Sequence, residues 1–208
     1  MRVTLHLSPG NAKKLLQLPV VKTARAGRAR SQAVRIVWHD TLDRHLTSRG
    51  LALAEERGVW RLTREQPDPA ELCPPGSHPR LLGEGPRPED IQHVPADPMA
   101  PMAAFDGRRT QAALVIDGGT VELTLLDGVL RTVAAEKPAA RLTLDGPDAA
   151  VGALALALCE PSGLSPPEHG LATQAVCLAD GSVPSPRRLG APALESTNSA
   201  RALSCSMI

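Results

Sequence analysis

The segment VWHDTLDRHLTSRGLALAEERG, residues 37–58, carries the most informative pattern in this chain of 208 residues. It predicts a strand that ends at Asp40-Thr41, a short helical connection, and a second strand that begins at Leu51. Side chains alternate between the two faces of a strand, so Ala54 and Glu56 share one face of the second strand. Arg57-Gly58 then favours a hairpin turn into a further strand, GVWRLTRE.

The same alternation extends outward to both ends of the chain. The first strand, RVTLHLS, places Arg2, Thr4 and His6 on one face. More strands are predicted at residues 33–40, 110–117, 120–128, 129–136 and 139–146, with tight turns at Gly118-Gly119 and Asp127-Gly128 and a last strand at 172–181. Helices are predicted between Ser8 and Pro19 and from Pro147 to Glu160. These elements predict an α+β fold, an antiparallel eight-stranded β-barrel (tunnel) with a few flanking helices, because closure removes exposed strand edges.

Composition limits the classes of partner. The chain has one Phe, two Trp and no Tyr, so its core must be built from Leu, Val and Ala. The net charge of +1 provides no overall field for nucleic acid or an anionic membrane, and any anion site must be a local cluster. The four cysteines form no CxxC pair, and the N-terminus does not have the pattern of a signal peptide. We therefore expect a cytoplasmic protein with reduced cysteines and no membrane or nucleic-acid partner.

The chain divides into one domain and a short C-terminal segment. Residues 1–187 are predicted to form the domain, interrupted by a Pro-rich connector at 66–104 with one helical turn near Pro88–Gln92. Residues 188–208 lack a core pattern. They are predicted to be a tail or the truncated start of a following helical domain.

The order of elements resembles the CYTH family, the triphosphate tunnel enzymes. The strongest match is VWHDTLDRHLTSRGLAL, in which an aromatic Asp-Thr strand end, a Leu-containing helical turn, Arg49-Gly50 and Leu51-Ala52-Leu53 follow in the family's order. TVELTLLDGVL and LTLDGPDAAVGALALAL extend the resemblance to about residue 183. The arrangement also resembles the subgroup in which this domain precedes a helical CHAD domain, so a CHAD-type domain is an expected partner.

The resemblance implies a polar tunnel in which Arg and Lys grip a triphosphate or polyphosphate and Glu residues hold one or two divalent metals. The chain departs from the family at most of those positions. Arg2, Thr4 and His6 stand where the family has Glu-x-Glu-x-Lys, and Ala54 and Glu56 stand where it has Arg-x-Arg. Ala139, Arg141 and Thr143, followed by Asp145, replace the late Glu-x-Glu-x-Glu, and Gly170-Leu171 replaces the closing Ser-Lys pair.

Several charged positions remain candidates for a site. The predicted substrate-binding residues are Arg35, Arg61, Arg64, Arg108, Arg109 and Arg131, and Glu122 is the predicted metal ligand. Mg²⁺ or Mn²⁺ is expected as cofactor only if the domain is active. Asp40 and Thr41 are expected to fix the corner after the second strand by side-chain-to-backbone hydrogen bonds.

Three functional hypotheses follow. The first is a degenerate, non-catalytic CYTH-like domain that binds a polyphosphate-type anion weakly or supports a neighbouring CHAD-type domain. The second is a metal-dependent inorganic triphosphatase, which would need Glu122, Asp127 and Asp145 as metal ligands. The third is a purely structural domain.

Overall fold

The fold is one antiparallel sheet with short helices on both sides. The computed structural model describes residues 1–64, 98–165, 167 and 169–183. Seven strands follow in chain order: β1 (Arg2–Leu7), β2 (Arg30–Asp40), β3 (Leu51–Glu56), β4 (Val59–Arg64), β5 (Ala100–Ile116), β6 (Gly119–Arg131) and β7 (Glu136–Asp145). The helices are α1 (Ala12–Leu15), α2 (Pro19–Ala24), α3 (His45–Ser48), α4 (Asp148–Ser162) and α5 (Leu171–Ala179). The sheet order is β1-β7-β6-β5-β2-β3-β4, and the sheet curls into a half-barrel.

The two faces of the sheet have different coverings. The outer face is the one that α1, α2 and α4 cover; its core contains Leu7, Leu123, Leu142 and Leu158, each fully buried. The inner face is the opposite one, and α5 lies against it: Ala172 and Ala175 pack with Trp38 and Phe105. The core is thus made almost entirely of Leu, Val and Ala, as the composition predicted.

The α+β class and the antiparallel sheet are confirmed, but the described residues contain seven strands rather than eight. Asp127-Gly128, predicted as a turn, lies inside the continuous strand β6. The reason is packing: Gly128 faces Gly107 on β5, and a Cβ on Gly128 would lie 2.6 Å from the Gly107 Cα and 2.9 Å from the Phe105 Cζ. This glycine accommodates an aromatic ring rather than a turn.

Other element predictions were also wrong. Pro19, predicted to end the first helix, begins α2, and residues 132–135, predicted to lie in a strand, separate β6 from β7. Residues 172–181, predicted as a strand, lie mostly in α5, because Ala172, Ala175 and Val176 form a buried stripe at helical spacing and alanine favours helix. The last residues of the predicted connector, from Ala100, belong to β5, where Ala103 and Ala104 are buried. Residues 66–97 of that connector, which include the helical turn near Pro88–Gln92, lie outside the described residues, as does the segment 188–208.

The sheet also remains open within the described part of the chain. β1 and β4 are its two edges, so the predicted closure of the barrel is not seen among these strands. None of the helices in the described ranges has both the length and the hydropathy needed to cross a membrane.

Candidate functional site

The corner after β2 is held by Asp40, as the sequence predicted. Asp40 is 1% exposed, and its carboxylate accepts hydrogen bonds from the backbone N–H groups of Thr41 (2.8 Å), Leu46 (2.9 Å) and Thr47 (3.0 Å). The Thr47 hydroxyl donates a fourth bond, at 2.7 Å. Asp40 therefore satisfies the N–H groups at the start of α3 and fixes the approach of β3.

The pairing of the strands shows which side chains share the inner face. On β3 and β4 these are Ala52, Ala54, Glu56, Val59, Arg61 and Thr63, since Ala54 pairs with Arg61. A row of paired residues then crosses five strands: His6, Arg141, Leu126, Arg109 and Gln32. Neighbouring strands are about 4.8 Å apart, so the backbones of Arg109 and Arg141 lie about 10 Å from each other.

Glu56 is the centre of the charged cluster on this face. Its side chain is only 9% exposed, and both carboxylate oxygens accept from the Arg109 guanidinium, Nη1 at 2.7 Å and Nη2 at 2.8 Å. The Arg61 Nη1 lies 3.6 Å from the same carboxylate. This bidentate contact is the geometry in which arginine commonly binds a carboxylate or a phosphate.

Electrostatics keep Glu56 ionised. Burial raises its pKa, but the hydrogen bond from Arg109 and the charges of Arg109, Arg61 and Arg57 outweigh burial, so the pKa lies below its ordinary value of 4.5. Arg61 is less well satisfied: its Nε–H is buried and has no acceptor among the described residues. Such a donor costs about 1–3 kcal/mol until an acceptor reaches it.

A cavity of about 190 Å³ adjoins this cluster. Arg61 and Glu56 lie at one side of it, and the first turn of α5 closes the other side with Leu171 and Ala172. The remaining walls are Ile36, Trp38, Ala54 and Thr63. Small-molecule sites usually have volumes of about 300–1,000 Å³, so with α5 in this position the cavity is tight even for a short polyphosphate.

The predicted site residues lie on both faces of the sheet. Arg61, Arg109 and Glu122 are on the inner face, whereas Arg35, Arg108 and Arg131 are on the outer face. Arg35 and Arg131 lie 3.7 and 3.6 Å from the carboxylate of Asp106, and Arg131 also contacts Glu136 at 3.2 Å. The backbone of Arg64 ends β4 opposite Leu51, and its side chain is outside the described part of the structure.

Two inner-face residues outside the predicted set belong to the same surface. Glu56, noted in the sequence as a lost phosphate contact, is the partner that organises Arg61 and Arg109. Arg141 is 4% exposed and contacts the His6 Nδ1 at 2.6 Å and the backbone oxygen of His169 at 3.0 Å. Period-two alternation places Arg141 on the same face of β7 as Thr143, but its contact with His6 and its burial depend on strand pairing that alternation does not reveal.

The donor set on the inner face does not fit a divalent metal. Glu122 pairs with Asp145 across β6 and β7, but Arg2 binds that Asp145 carboxylate at 2.9–3.0 Å. The predicted partner Asp127 lies on the outer face, opposite Arg108. The described residues contain no group of three or more His, Cys, Asp or Glu side chains that could hold a metal ion. Mg²⁺ and Mn²⁺ prefer several oxygen ligands, which this surface does not assemble.

Comparison with known proteins bears on the fold. No family model matches the sequence, and no curated protein matches it. A solved structure from Hippeastrum, HpAC1, described as a candidate adenylyl cyclase with a dominant triphosphatase activity, matches at a TM-score of 0.50 and 14% identity. The match covers 88% of this chain and 96% of that chain.

The chain has the triphosphate tunnel fold. A candidate adenylate cyclase from Bacillus halodurans is also similar, at 14% identity and a TM-score of 0.45, over 83% of this chain and 94% of that one. At 14% identity the similarity establishes the fold alone. The chemistry of this chain must be inferred from the residues on its inner face.

Proposed function

We propose that this triphosphate tunnel domain is non-catalytic and binds a polyphosphate-type anion weakly at Arg61 and Arg109 on the inner face. The cluster of these two arginines around Glu56 carries the proposal. This cluster keeps one positive charge in excess next to a cavity, and within the described part of the chain the Arg61 Nε–H has no acceptor. An anionic oxygen that reached the cavity would accept from this donor and remove its cost of burial.

The spacing of charges supports an elongated anion. Arg141 lies in the same row as Arg109, two strands away, and both side chains belong to the inner face. Arg141 is 4% exposed and already contacts His6 and the backbone oxygen of His169, so it adds positive charge beneath the surface rather than a direct contact. A short polyphosphate has negative charge along its length and would be attracted by Arg61, Arg109 and Arg141 together. A single phosphate would lie near fewer of these charges, so we expect tripolyphosphate to bind more tightly than orthophosphate.

The lack of hydrolysis follows from the missing ligand set. Phosphoryl transfer to water depends on charge neutralisation and on a metal that positions the reacting groups. On this face Glu56 is engaged by Arg109 and Asp145 by Arg2, which leaves Glu122 without a second carboxylate of its own. A supporting role beside a neighbouring CHAD-type domain stays a further prediction of this proposal.

The second candidate is a metal-dependent triphosphatase, which the activity described for the Hippeastrum protein favours. One pair of assays separates the two. Calorimetric titration with tripolyphosphate should show weak binding that Arg109→Ala removes and Arg108→Ala, its neighbour on the outer face, leaves unchanged. Phosphate release with Mg²⁺ or Mn²⁺ should stay at the level of a Glu122→Ala control.

Release above that control would establish the triphosphatase instead. If neither heat nor phosphate release is observed, the domain is purely structural and the proposed binding function is wrong. Loss of binding in Arg108→Ala would place the anion on the outer face and would also overturn the proposed site.

A further inference from the structure

The contact between Glu56 and Arg109 spans the sheet. Glu56 is the last residue of β3, beyond the stretch in which β3 pairs with β2. Arg109 is on β5, opposite Gln32 of β2. The ion pair therefore crosses the inner face over β2, and the carboxylate lies where β3 and β4 present Arg61 to the cavity.

A carboxylate in this position uses the donors that a phosphate would need. Arg109 donates through Nη1 and Nη2 to the two oxygens of Glu56, which is the same paired geometry that guanidinium offers to phosphate. An external anion could engage Arg109 in this way only after the carboxylate had left. Glu56 would then be a buried charge without its partner and next to a second negative charge, which is unfavourable.

We propose that Glu56 is an internal anion that occupies the arginine pair and sets the affinity and selectivity of the inner face for phosphorylated ligands. The inference rests on the proposed anion-binding function and deepens it, since it names the residue that keeps binding weak. Two arginines and one carboxylate leave the cluster with a single excess charge, and neutralising Glu56 would double it.

Selectivity follows from the same competition. A ligand must supply more negative charge than one carboxylate to displace Glu56, so polyanions such as tripolyphosphate are favoured over orthophosphate or simple carboxylates. The ordinary cellular anions that carry one charge would be excluded. Glu56, which stands where the family has a phosphate-binding arginine, therefore sets how much negative charge a ligand needs in order to bind.

The test is the substitution Glu56→Gln, which removes the charge and keeps the shape. Sodium tripolyphosphate in metal-free buffer is titrated calorimetrically into wild type, Glu56→Gln and Glu55→Gln. Glu55 is the adjacent residue on β3, lies on the outer face and gives the same change in net charge, so it is the matched control.

We expect Glu56→Gln to bind at least tenfold more tightly than wild type, about 1.4 kcal/mol, with a steeper dependence on salt. Glu55→Gln should bind as wild type does. The double variant Glu56→Gln with Arg109→Gln should lose the gain, because the freed donors are removed.

Each contrary outcome has a distinct meaning. If wild type binds and Glu56→Gln binds no more tightly, Glu56 does not occupy the site and the inference fails, while the proposed function survives. If Glu56→Gln binds and wild type shows no binding, the inference holds and the proposed function of the natural chain fails. Absence of binding in both overturns both proposals.

The experiment remains decisive if Glu56→Gln is unstable. Ligands that bind only the folded state raise the melting temperature. In that case tripolyphosphate should raise the melting temperature of Glu56→Gln by more than it raises that of wild type. An equal or smaller rise would overturn the inference.

Discussion

Replacing Arg109 with Ala tests the ion pair on the inner face through its contribution to stability. The substitution leaves the Glu56 side chain, 9% exposed, with Arg61 at 3.6 Å as its nearest remaining cation. Removing one partner of a fully buried pair costs about 3–5 kcal/mol. The Arg109 side chain is 17% exposed and Arg61 remains, so we expect a smaller loss, about 2–3 kcal/mol.

For a domain of this size each kcal/mol corresponds to about 2–4 °C, so the melting temperature should fall by about 5–10 °C. Arg108→Ala is the matched control, because Arg108 is the preceding residue on β5, is exposed and faces the other side. It should change the free energy of unfolding by no more than about 0.5 kcal/mol. Urea denaturation of both variants at pH 7 measures the difference.

The pH dependence has a defined sign. In wild type the pKa of Glu56 is lowered, so its contribution is fully present above the ordinary value of 4.5 and is lost as the pH falls through the lowered pKa. In Arg109→Ala the hydrogen bond that lowers the pKa is gone and burial opposes ionisation. The gap in stability between the two proteins should therefore be widest near neutral pH and should narrow as the pH falls below 4.5.

Equal stability of Arg109→Ala and Arg108→Ala at pH 7 would refute a stabilising ion pair between Glu56 and Arg109. So would a difference in stability between wild type and Arg109→Ala that widened on acidification. Either result would mean that Glu56 gains no stability from Arg109 in the folded protein.

Two further predictions concern the scaffold. Asp40→Ala should lower the free energy of unfolding by about 3 kcal/mol in urea denaturation, because three backbone N–H groups at the corner lose their acceptor; a loss under about 1 kcal/mol would contradict this role. Gly128→Ala should lower the free energy of unfolding by about 2 kcal/mol or more, because the added Cβ would clash with Gly107 and Phe105. Its melting temperature should therefore fall markedly. Gly152→Ala, in α4 with no described atom within 4 Å of the added Cβ, should raise the free energy of unfolding by about 0.5–1 kcal/mol. Its melting temperature should therefore rise.

Much of the inner face could be predicted from the sequence because strand alternation is strict. Arg2, Thr4 and His6 share the inner face, as do Ala54 and Glu56, and the observed strand pairing confirms both sets. The corner at Asp40 was also predictable, since an Asp-Thr pair before a short helix is a local signal that depends on adjacent residues alone.

What the sequence could not provide was the pairing between distant strands. Arg108 and Arg109 are adjacent, so only one can face inward, but the choice depends on the register of β5 against β2. The contact between Glu56 and Arg109 joins residues 53 positions apart across an intervening strand. Nothing local distinguishes Arg109 from Arg35, which pairs on the other face with Asp106.

The wrong predictions at Asp127-Gly128 and at residues 172–181 have a related cause. Asp127-Gly128 has the composition of a hairpin turn, and its role in making room for Phe105 emerges only when β5 and β6 are paired. The stretch of α5 contains small apolar residues that fit a strand or a helix equally well on a short scale. The segment forms a helix because the small side chains on one side of it are buried against the inner face.

The inner face is proposed to bind a polyphosphate without hydrolysing it. ³¹P NMR of tripolyphosphate mixed with the protein and Mg²⁺ follows binding and hydrolysis in the same sample. We expect a concentration-dependent shift or broadening of the tripolyphosphate signals that Arg109→Ala abolishes, with no growth of orthophosphate or pyrophosphate signals. Growth of those two signals above a protein-free control would show hydrolysis, and tripolyphosphate signals that the protein leaves unchanged would show that the inner face does not bind the anion.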